Sequence, residues 1–433
     1  MSLTDLAARI TANAKLLDAH LKAHNLPPPS TSPTASPDFP NPKNAPTVES
    51  ARISLIEDTQ TLRNYALGPA QVVRELCWST IDLAVQQSLY HFSIPTLIPL
   101  KSSISYASLS SQTHLPERTL RLLLRQSFLN GIFYEPEPDR VAHTASSAAL
   151  VTNAPFYDWF GHSVEEVFPA SAKLAEALER CSHTQDQVEG VEGRAEDSAF
   201  SIAVGGGESV FEFFEKRPDK QRRFRGAMEA VGMDGGHDLG WVVKGFGWGE
   251  IGRGVVVDVG GSSGYLSIAL ANTYENLSFV VQDYKHTVEE GRAALPSHLS
   301  ERVSFQAHDF FATQTVVADV YLLRHVCHNW SDENAARILR NLVPAMKGSS
   351  RILLVEVVTV RPGVVVNRVQ ERYMRNVDVT MLQMLNTQER SREDWDGVVA
   401  LADQRLKVLG IQRPEGSWDS IIEIGMVGMN GYA

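Results

Sequence analysis

The stretch "VVVDVGGSSGYLSIAL", Val255 to Leu270, decides the fold. Val255, Val256, Val257 and Val259 form an apolar run short enough for a buried strand. Gly260 and Gly264 follow, where the backbone must turn tightly. Tyr265 then opens an apolar helical segment. A strand, a glycine loop and a helix make the first unit of an open α/β sheet.

The pattern repeats downstream. Strands are expected in "LSFVVQD" (277–283), "VSFQAHD" (303–309), "DVYLLRHV" (319–326), "RILLVEVV" (351–358) and, last, "SWDSIIEIGMV" (417–427). Helices are expected from about His286 and over "DENAARILRNLVPAMK" (332–347). The alternation gives a Rossmann-like sheet with helices on both faces, which binds ligands at the carboxyl ends of its strands.

The glycine loop reads DxGxxxG, with Asp258 ahead of Gly260 and Gly264. A dinucleotide site prefers GxGxxG with its pyrophosphate on the helix N-terminus. An acid in front repels a pyrophosphate, which disfavours a nicotinamide dehydrogenase. It suits a ligand with a cationic amino group, and S-adenosylmethionine (SAM) carries both an ammonium and a sulfonium. Asp283, ending the second strand, is placed to accept hydrogen bonds from two ribose hydroxyls. Asp309 and Phe310, after the third, suit an adenine amino group and ring face.

Upstream of Arg253 the texture is helical. Residues 4–25 read as an amphipathic helix, and residues 26–47, rich in proline, serine and threonine, read as a linker. Helical spacing resumes from Thr47 to about Tyr90. The segment 105–144 reads as helix, turn, helix and short strand pair, a winged-helix pattern. In it Ser108 starts one helix, Pro116 sits inside the next, and Leu120, Leu122, Leu123, Leu124 and Phe128 face a core. Arg118, Arg121 and Arg125 on that second helix raise a DNA-binding reading. The formal charge of −11 over 433 residues weighs against a nucleic-acid partner. Residues 150–250 read as mainly helical around a surface loop at 183–208. Cys77, Cys181 and Cys327 are too few and too scattered for a disulfide framework, pointing to a reducing, cytoplasmic setting. No apolar run is long enough to span a membrane.

"RHVCHNWSDE", Arg324 to Glu333, admits three readings: a metal site, a general base, or a plain strand-to-helix joint. His325, Cys327 and His328 share one short segment whose successive side chains diverge, so they do not converge on one ion, and no metal is expected. A histidine could instead take the proton of an attacking hydroxyl, which is worth about 10²–10⁴-fold.

With these residues in view, the chain resembles the caffeate-type small-molecule O-methyltransferases, and in detail their fungal secondary-metabolism branch. "DVGGSSG", "VQD", "HDFF", "RHVCHNWSD", "ILLVEVV" and "NTQERSREDW" match in order and spacing. The resemblance implies a class I methyltransferase domain over 251–433. It would be preceded by a linker region (1–47), a winged-helix-like dimerisation domain (48–150) and a helical substrate-pocket region (151–250). It further implies SAM as cofactor, a small-molecule substrate, a homodimer, and no nucleic acid or membrane partner. His328 matches the family's base, Glu356 and Glu389 the acids that flank it, and Arg324 a lysine near the cofactor. Asn329 departs from the aspartate of plant members. Trp159, Phe160, Phe211 and Phe214 are candidate pocket aromatics. His162, in "DWFGHSVEE", supports an alternative: a SAM-binding pericyclase or dehydratase that keeps the fold without transferring methyl.

Overall fold

The structure, a computed structural model, describes residues 2–40, 45–184, 197–233, 235–361 and 367–427. It divides into two compact units. The first comprises Met1–Pro169, Phe214–Ala230 and Val366–Arg372; the second comprises Ala170–Phe213, Val231–Val365 and Tyr373–Ala433.

The first unit is helical. Ser2 and Asp5 form a capping box that starts helix Leu3–Ala23, which buries Leu6, Leu17 and Leu21. Arg9 Nε donates to Asp58 Oδ2 at 2.8 Å and ties it to helix Pro46–Leu67. Gly68, at φ +77°, and Pro69 break that helix from Pro69–His91. The winged pattern is present, with corrections. Ser105 caps a helix that begins at Tyr106, two residues before Ser108. Pro116 is the cap of helix Glu117–Leu129, not its first turn. The wing is reduced to β1 (Ile104–Ser105) paired antiparallel with β2 (Arg140–Val141). Leu120 and Leu124 enter a core with Leu89, Ile94, Tyr106, Leu109 and Phe133, but Leu122 is 67% exposed on the opposite helix face. Arg121 pairs with Glu117 and Asp139, and Arg125 with Glu135, so these two cations are spent inside the unit.

The second unit holds a seven-stranded sheet. Its strands are β3 (Gly254–Val259), β4 (Leu277–Asp283), β5 (Val303–Ala307), β6 (Ala318–Arg324), β7 (Met346–Glu356), β8 (Leu406–Gln412) and β9 (Ser420–Met426). The order is β5-β4-β3-β6-β7-β9-β8; β3 to β7 run parallel, and β9 runs antiparallel to both its neighbours, β7 and β8. Alternation along β3 and β6 sends Val257, Val259, Tyr321 and Leu323 to one face, and Val256, Val320 and Leu322 to the other. The first face packs Ala335, Ile338 and Leu339 of helix Asp332–Leu342; the second packs Leu266, Leu270 and Ala271 of helix Tyr265–Thr273. The doubly covered sheet is therefore the expected one. β7 begins five residues before Arg351. β8 was not anticipated: it is an edge strand interrupted by Lys407 and Gly410, with a register shift between Val408 and Gly410. The expected loop at 183–208 contains a helix, Ala199–Ala203, that buries Ala199 and Phe200; residues 185–196 lie outside the described residues. No described helix is long and apolar enough to cross a membrane.

Candidate active site

The carboxyl ends of β3, β4 and β5 carry the glycine loop and three acids. Gly260 and Gly264 take φ +71° and +83°, which only glycine adopts readily. Asp258 lies beneath the loop, 2% exposed, and accepts a 2.6 Å hydrogen bond from Ser267 Oγ. Burial pushes its carboxyl up to about 6. A side chain at Gly261 would meet Asp258 Cγ at 2.5 Å, so that glycine is a packing requirement. The Asp283 carboxylate receives two backbone donors, Ser262 N at 2.9 Å and Tyr284 N at 2.7 Å. Burial raises its pKa against those bonds. Asp309 caps its own turn, accepting from Phe311 N at 2.9 Å. Phe310 meets Phe311 and Trp330 edge to face, and Phe211 stacks on Trp330 with centroids 5.8 Å apart.

Beyond β6, the chain turns sharply. His325 has φ +53°, and its carbonyl accepts from Asn329 Nδ2 at 3.0 Å. An aspartate at 329 could not donate that bond, so asparagine has a structural reason here. Across the short turn Cys327–Asn329 the rings of His325 and His328 stay stacked, with centroids 5.5 Å apart, but face different acids. Cys327 is fully buried, and burial drives its thiol well above the usual range. His328 turns to two acids. Its Nδ1 lies 2.8 Å from Glu389 Oε1 and 3.9 Å from Glu356 Oε2. Glu356, at the end of β7, accepts from Cys327 N at 2.9 Å; Glu389 comes from the loop that bridges to Val358. A ring nitrogen facing a carboxylate keeps its proton, so the proton that His328 gains and loses is the one on Nε2. Nε2 has no hydrogen-bond partner among the described residues.

Burial alone would lower the His328 pKa, but the charges of Glu389 and then Glu356 outweigh it and hold the ring at about 9. Burial raises Glu356 to about 7. Both acids keep one buried oxygen, Oε2, without a hydrogen-bond partner among the described residues.

His325 joins a second group that the sequence did not reveal. Its Nε2 and His237 Nδ1 each lie 2.9 Å from Asp419 Oδ1, while His237 Nε2 meets the Tyr373 hydroxyl at 2.5 Å. Arg324, expected near the cofactor, gives Nη2 to the His237 carbonyl at 2.9 Å, and its buried Nε has no hydrogen-bond partner among the described residues. The two sets, His237–His325–Asp419 and His328–Glu356–Glu389, each present three possible metal-ligand atoms within 4.8 Å of one another. His237 and Asp419 come to His325 from distant segments. Within the first set Asp419 Oδ1 is 2.9 Å from both rings; within the second His328 Nδ1 is hydrogen-bonded to Glu389 and only ion-paired, at 3.9 Å, with Glu356.

The remaining candidates divide. Phe211 belongs to the second unit, at Trp330. Trp159, Phe160, His162 and Phe214 belong to the first, with partners of their own. Trp159 stacks on Phe156 and is 40% exposed; Phe160 meets Tyr90 edge to face. Phe214 is core, stacked on Phe224. His162 Nδ1 lies 3.2 Å from the buried Glu166, which also pairs with Lys220 and Arg223. Arg390, singled out by no motif, is 1% exposed and grips the base turn: Nη1 to Cys327 O at 2.9 Å, Nη2 to Trp330 O and Nε to Asp332 Oδ1, both at 2.7 Å.

A profile of the O-methyltransferase domain matches residues 183–403. The chain is 33% identical over 429 residues to the O-methyltransferase bik3 of Gibberella fujikuroi, covering 97% of this chain and 92% of that protein. It is 35% identical over 429 residues to the O-methyltransferase aoiF of Aspergillus oryzae, covering 98% and 99%. Among solved structures, OxaC superposes with a TM-score of 0.78 at 21% identity over 98% of both chains. The complex of LepI with SAM gives 0.71 at 18% identity, over 97% of this chain and 99% of that one. At such identities these structures speak to the fold.

Proposed function

The chain belongs to the O-methyltransferase family, and from that premise we propose that it methylates a hydroxyl of a small aromatic or polyketide-like secondary metabolite, with SAM as donor and His328 as general base. The observation that carries the reading is His328 between two buried glutamates with Nε2 left open.

The strand ends suit the cofactor. Asp258, Asp283 and Asp309 put three carboxylates at the ends of neighbouring strands, where a cationic ligand would be favoured. Gly260 and Gly264 shape the loop, Asp283 would take the ribose hydroxyls, Asp309 and Phe310 the adenine, and Arg324 ends β6. The cofactor supplies an electrophilic methyl group on a sulfonium.

The chain's own residues do the rest. His328 Nε2 accepts the hydroxyl proton as the oxygen becomes nucleophilic. Glu389 and Glu356 stabilise the imidazolium so formed, and Glu389 fixes the tautomer that exposes Nε2. A ring held at about 9 sits close to a phenol's ordinary value near about 10, so the transfer is nearly balanced in energy. Arg390 keeps the base turn in place. Phe310, Phe311, Trp330 and Phe211 offer an apolar aromatic wall that excludes water.

A homodimer fits the same reading. Helix Pro69–His91 exposes Val73, Leu76, Trp78 and Ile81, each more than half exposed. The reducing cytoplasm suits the cysteine usage. The pericyclase alternative has less support, because the relatives at 33% and 35% identity are O-methyltransferases.

The test is incubation with methyl-labelled SAM and aromatic hydroxyl compounds. Label should enter the product, and His328→Ala should lower turnover at least about tenfold with SAM affinity retained. Near-normal turnover would remove His328 as the base. Product formed without label would favour the pericyclic chemistry.

A further inference from the structure

The loop that carries Asp309 and Phe310 is anchored by glutamines. It runs from His308 to Val317, between β5 and β6, and Gln314 is its one buried residue. Gln314 meets Gln282, the residue before the end of β4, in a reciprocal amide pair. Gln314 Nε2 donates to Gln282 Oε1 at 2.7 Å, and Gln282 Nε2 donates to Gln314 Oε1 at 3.1 Å. The backbone fixes the orientation of the pair. Thr315 N and Val316 N both donate to Gln314 Oε1 at 3.0 Å, so that atom must be the oxygen. Gln282 Nε2 also donates, at 3.0 Å, to Oε1 of Gln306, the residue opposite it on β5. Gln282 and Gln314 are 1% and 3% exposed. A buried leucine would anchor the loop by area alone, whereas an amide pair fixes direction and spacing. The main chain of Gln282 holds the glycine loop as well: its carbonyl accepts from Gly260 N at 2.8 Å and Gly261 N at 3.1 Å. Helix Asp332–Leu342 completes the anchorage. Asn341 Nδ2 donates to the Phe310 carbonyl at 3.2 Å, and Asn341 O accepts from Gln314 N at 2.9 Å.

We propose that Gln282, Gln314 and Asn341 are positioning residues that hold Asp309 against the 6-amino group of the adenine, and so set the selectivity of the cofactor site for adenine over hypoxanthine. The proposal rests on the assignment of Asp309 and Phe310 to the adenine. Asp309 Oδ1 accepts from Phe311 N at 2.9 Å, which orients the carboxylate within its own turn. Asp309 is itself exposed, so packing does not decide where that turn stands. The amides decide it: Asn341 holds the carbonyl of the next residue, and the Gln282–Gln314 pair holds the chain five residues on. Adenine offers an N–H donor at C6. Hypoxanthine offers a carbonyl oxygen there, which a carboxylate repels. A hydrogen bond weakens steeply beyond its ordinary length, so discrimination at this atom depends on a turn placed to a fraction of an ångström.

The experiment measures, by calorimetry, the dissociation constants of S-adenosylhomocysteine and S-inosylhomocysteine. The two share their ribose and amino-acid parts, so the ratio of the constants isolates the base. Wild-type protein should prefer the adenosyl compound at least about tenfold. Gln314→Met keeps the side-chain length and loses the amide; Asn341→Leu spares the buried pair and frees the Phe310 carbonyl. Each should bring the preference below about threefold. General loss of structure would weaken both ligands together and leave the ratio alone. A preference kept by either variant, whether the affinities fall in parallel or not at all, therefore overturns the proposal. Where Gln314→Met does not fold, Asn341→Leu decides by itself. Asp309→Ala separates this outcome from failure of the adenine assignment. It should abolish the preference, and if it does while the other variants keep theirs, only the positioning role falls. An Asp309→Ala protein that keeps the preference, or a wild type that shows none or binds neither ligand, overturns the assignment and the proposal together.

Discussion

His328 and Glu389 meet at 2.8 Å, Nδ1 to Oε1, although 60 residues of chain lie between them. The contact sets both the tautomer and the charge of the base. Because the working base is the deprotonated ring, and the ring is held at about 9, methyl transfer should speed up as pH rises and level off above that value. Glu389→Gln removes the larger of the two raising charges. The limb should move down by about one pH unit, and the plateau should fall roughly tenfold, since the imidazolium loses its partner. Single-turnover rates from about pH 6 to 10 read both effects. A profile unchanged by the substitution would show that Glu389 does not tune the base.

Arg390 supports a second prediction. Its guanidinium bonds two carbonyls of the base turn and Asp332 at once, a fork that lysine cannot reproduce. Arg390→Lys should let the turn shift. A misplacement of about 1 Å costs on the order of 100-fold in rate, so kcat should drop steeply while SAM affinity, set at the ends of β3 to β5, changes little. Parallel loss of cofactor affinity would mean the whole sheet edge had moved.

These two residues also show where the sequence is readable and where it is silent. His328, Glu356, Asp283 and the glycine loop end strands whose apolar runs are evident, and each carries its signal within a few neighbours. Arg390 sits one residue past a recognised glutamate but has no local signature, because its partners are backbone carbonyls 60 or more residues away. Asp419 is placed by antiparallel pairing of β9, where Ser420 lies opposite Glu356, and that register depends on β8, an edge strand with broken alternation. His237 stands in a short 3-10 turn that no periodicity announces. Leu122 failed for the opposite reason: a run of leucines masks which face of the helix is buried.

The glycine loop yields a third prediction. At Gly261 a Cβ would press on Asp258, and Asp258 cannot retreat, being buried and held by Ser267. Gly261→Ala should displace the loop and with it the Ser262 N–H that braces Asp283. SAM affinity should weaken at least about tenfold, roughly 1.4 kcal/mol, by calorimetry. Gly249→Ala, where nothing lies within 4 Å of the added carbon, is the control and should bind normally.

The last prediction concerns stability in acid. Burial holds the His325 ring down at about 4, despite the neighbouring Asp419 carboxylate, whereas an unfolded chain protonates it near about 6.5. Between those values the unfolded state binds the extra proton, so this residue's contribution to stability is complete above about 6.5 and is lost as pH falls toward 4. The full shift corresponds to about 3 kcal/mol, and the partly exposed ring, 21% accessible, should realise about 2 of it. His325→Asn removes the titration and keeps a residue type that accepts φ +53°. The variant should melt somewhat lower at neutral pH, because the contact with Asp419 changes. Its melting temperature should nevertheless fall less than the wild type's between about pH 6.5 and 4.5. Parallel slopes in calorimetric scans would mean that His325 is already charged in the folded protein, and that Asp419 faces an imidazolium rather than a neutral ring.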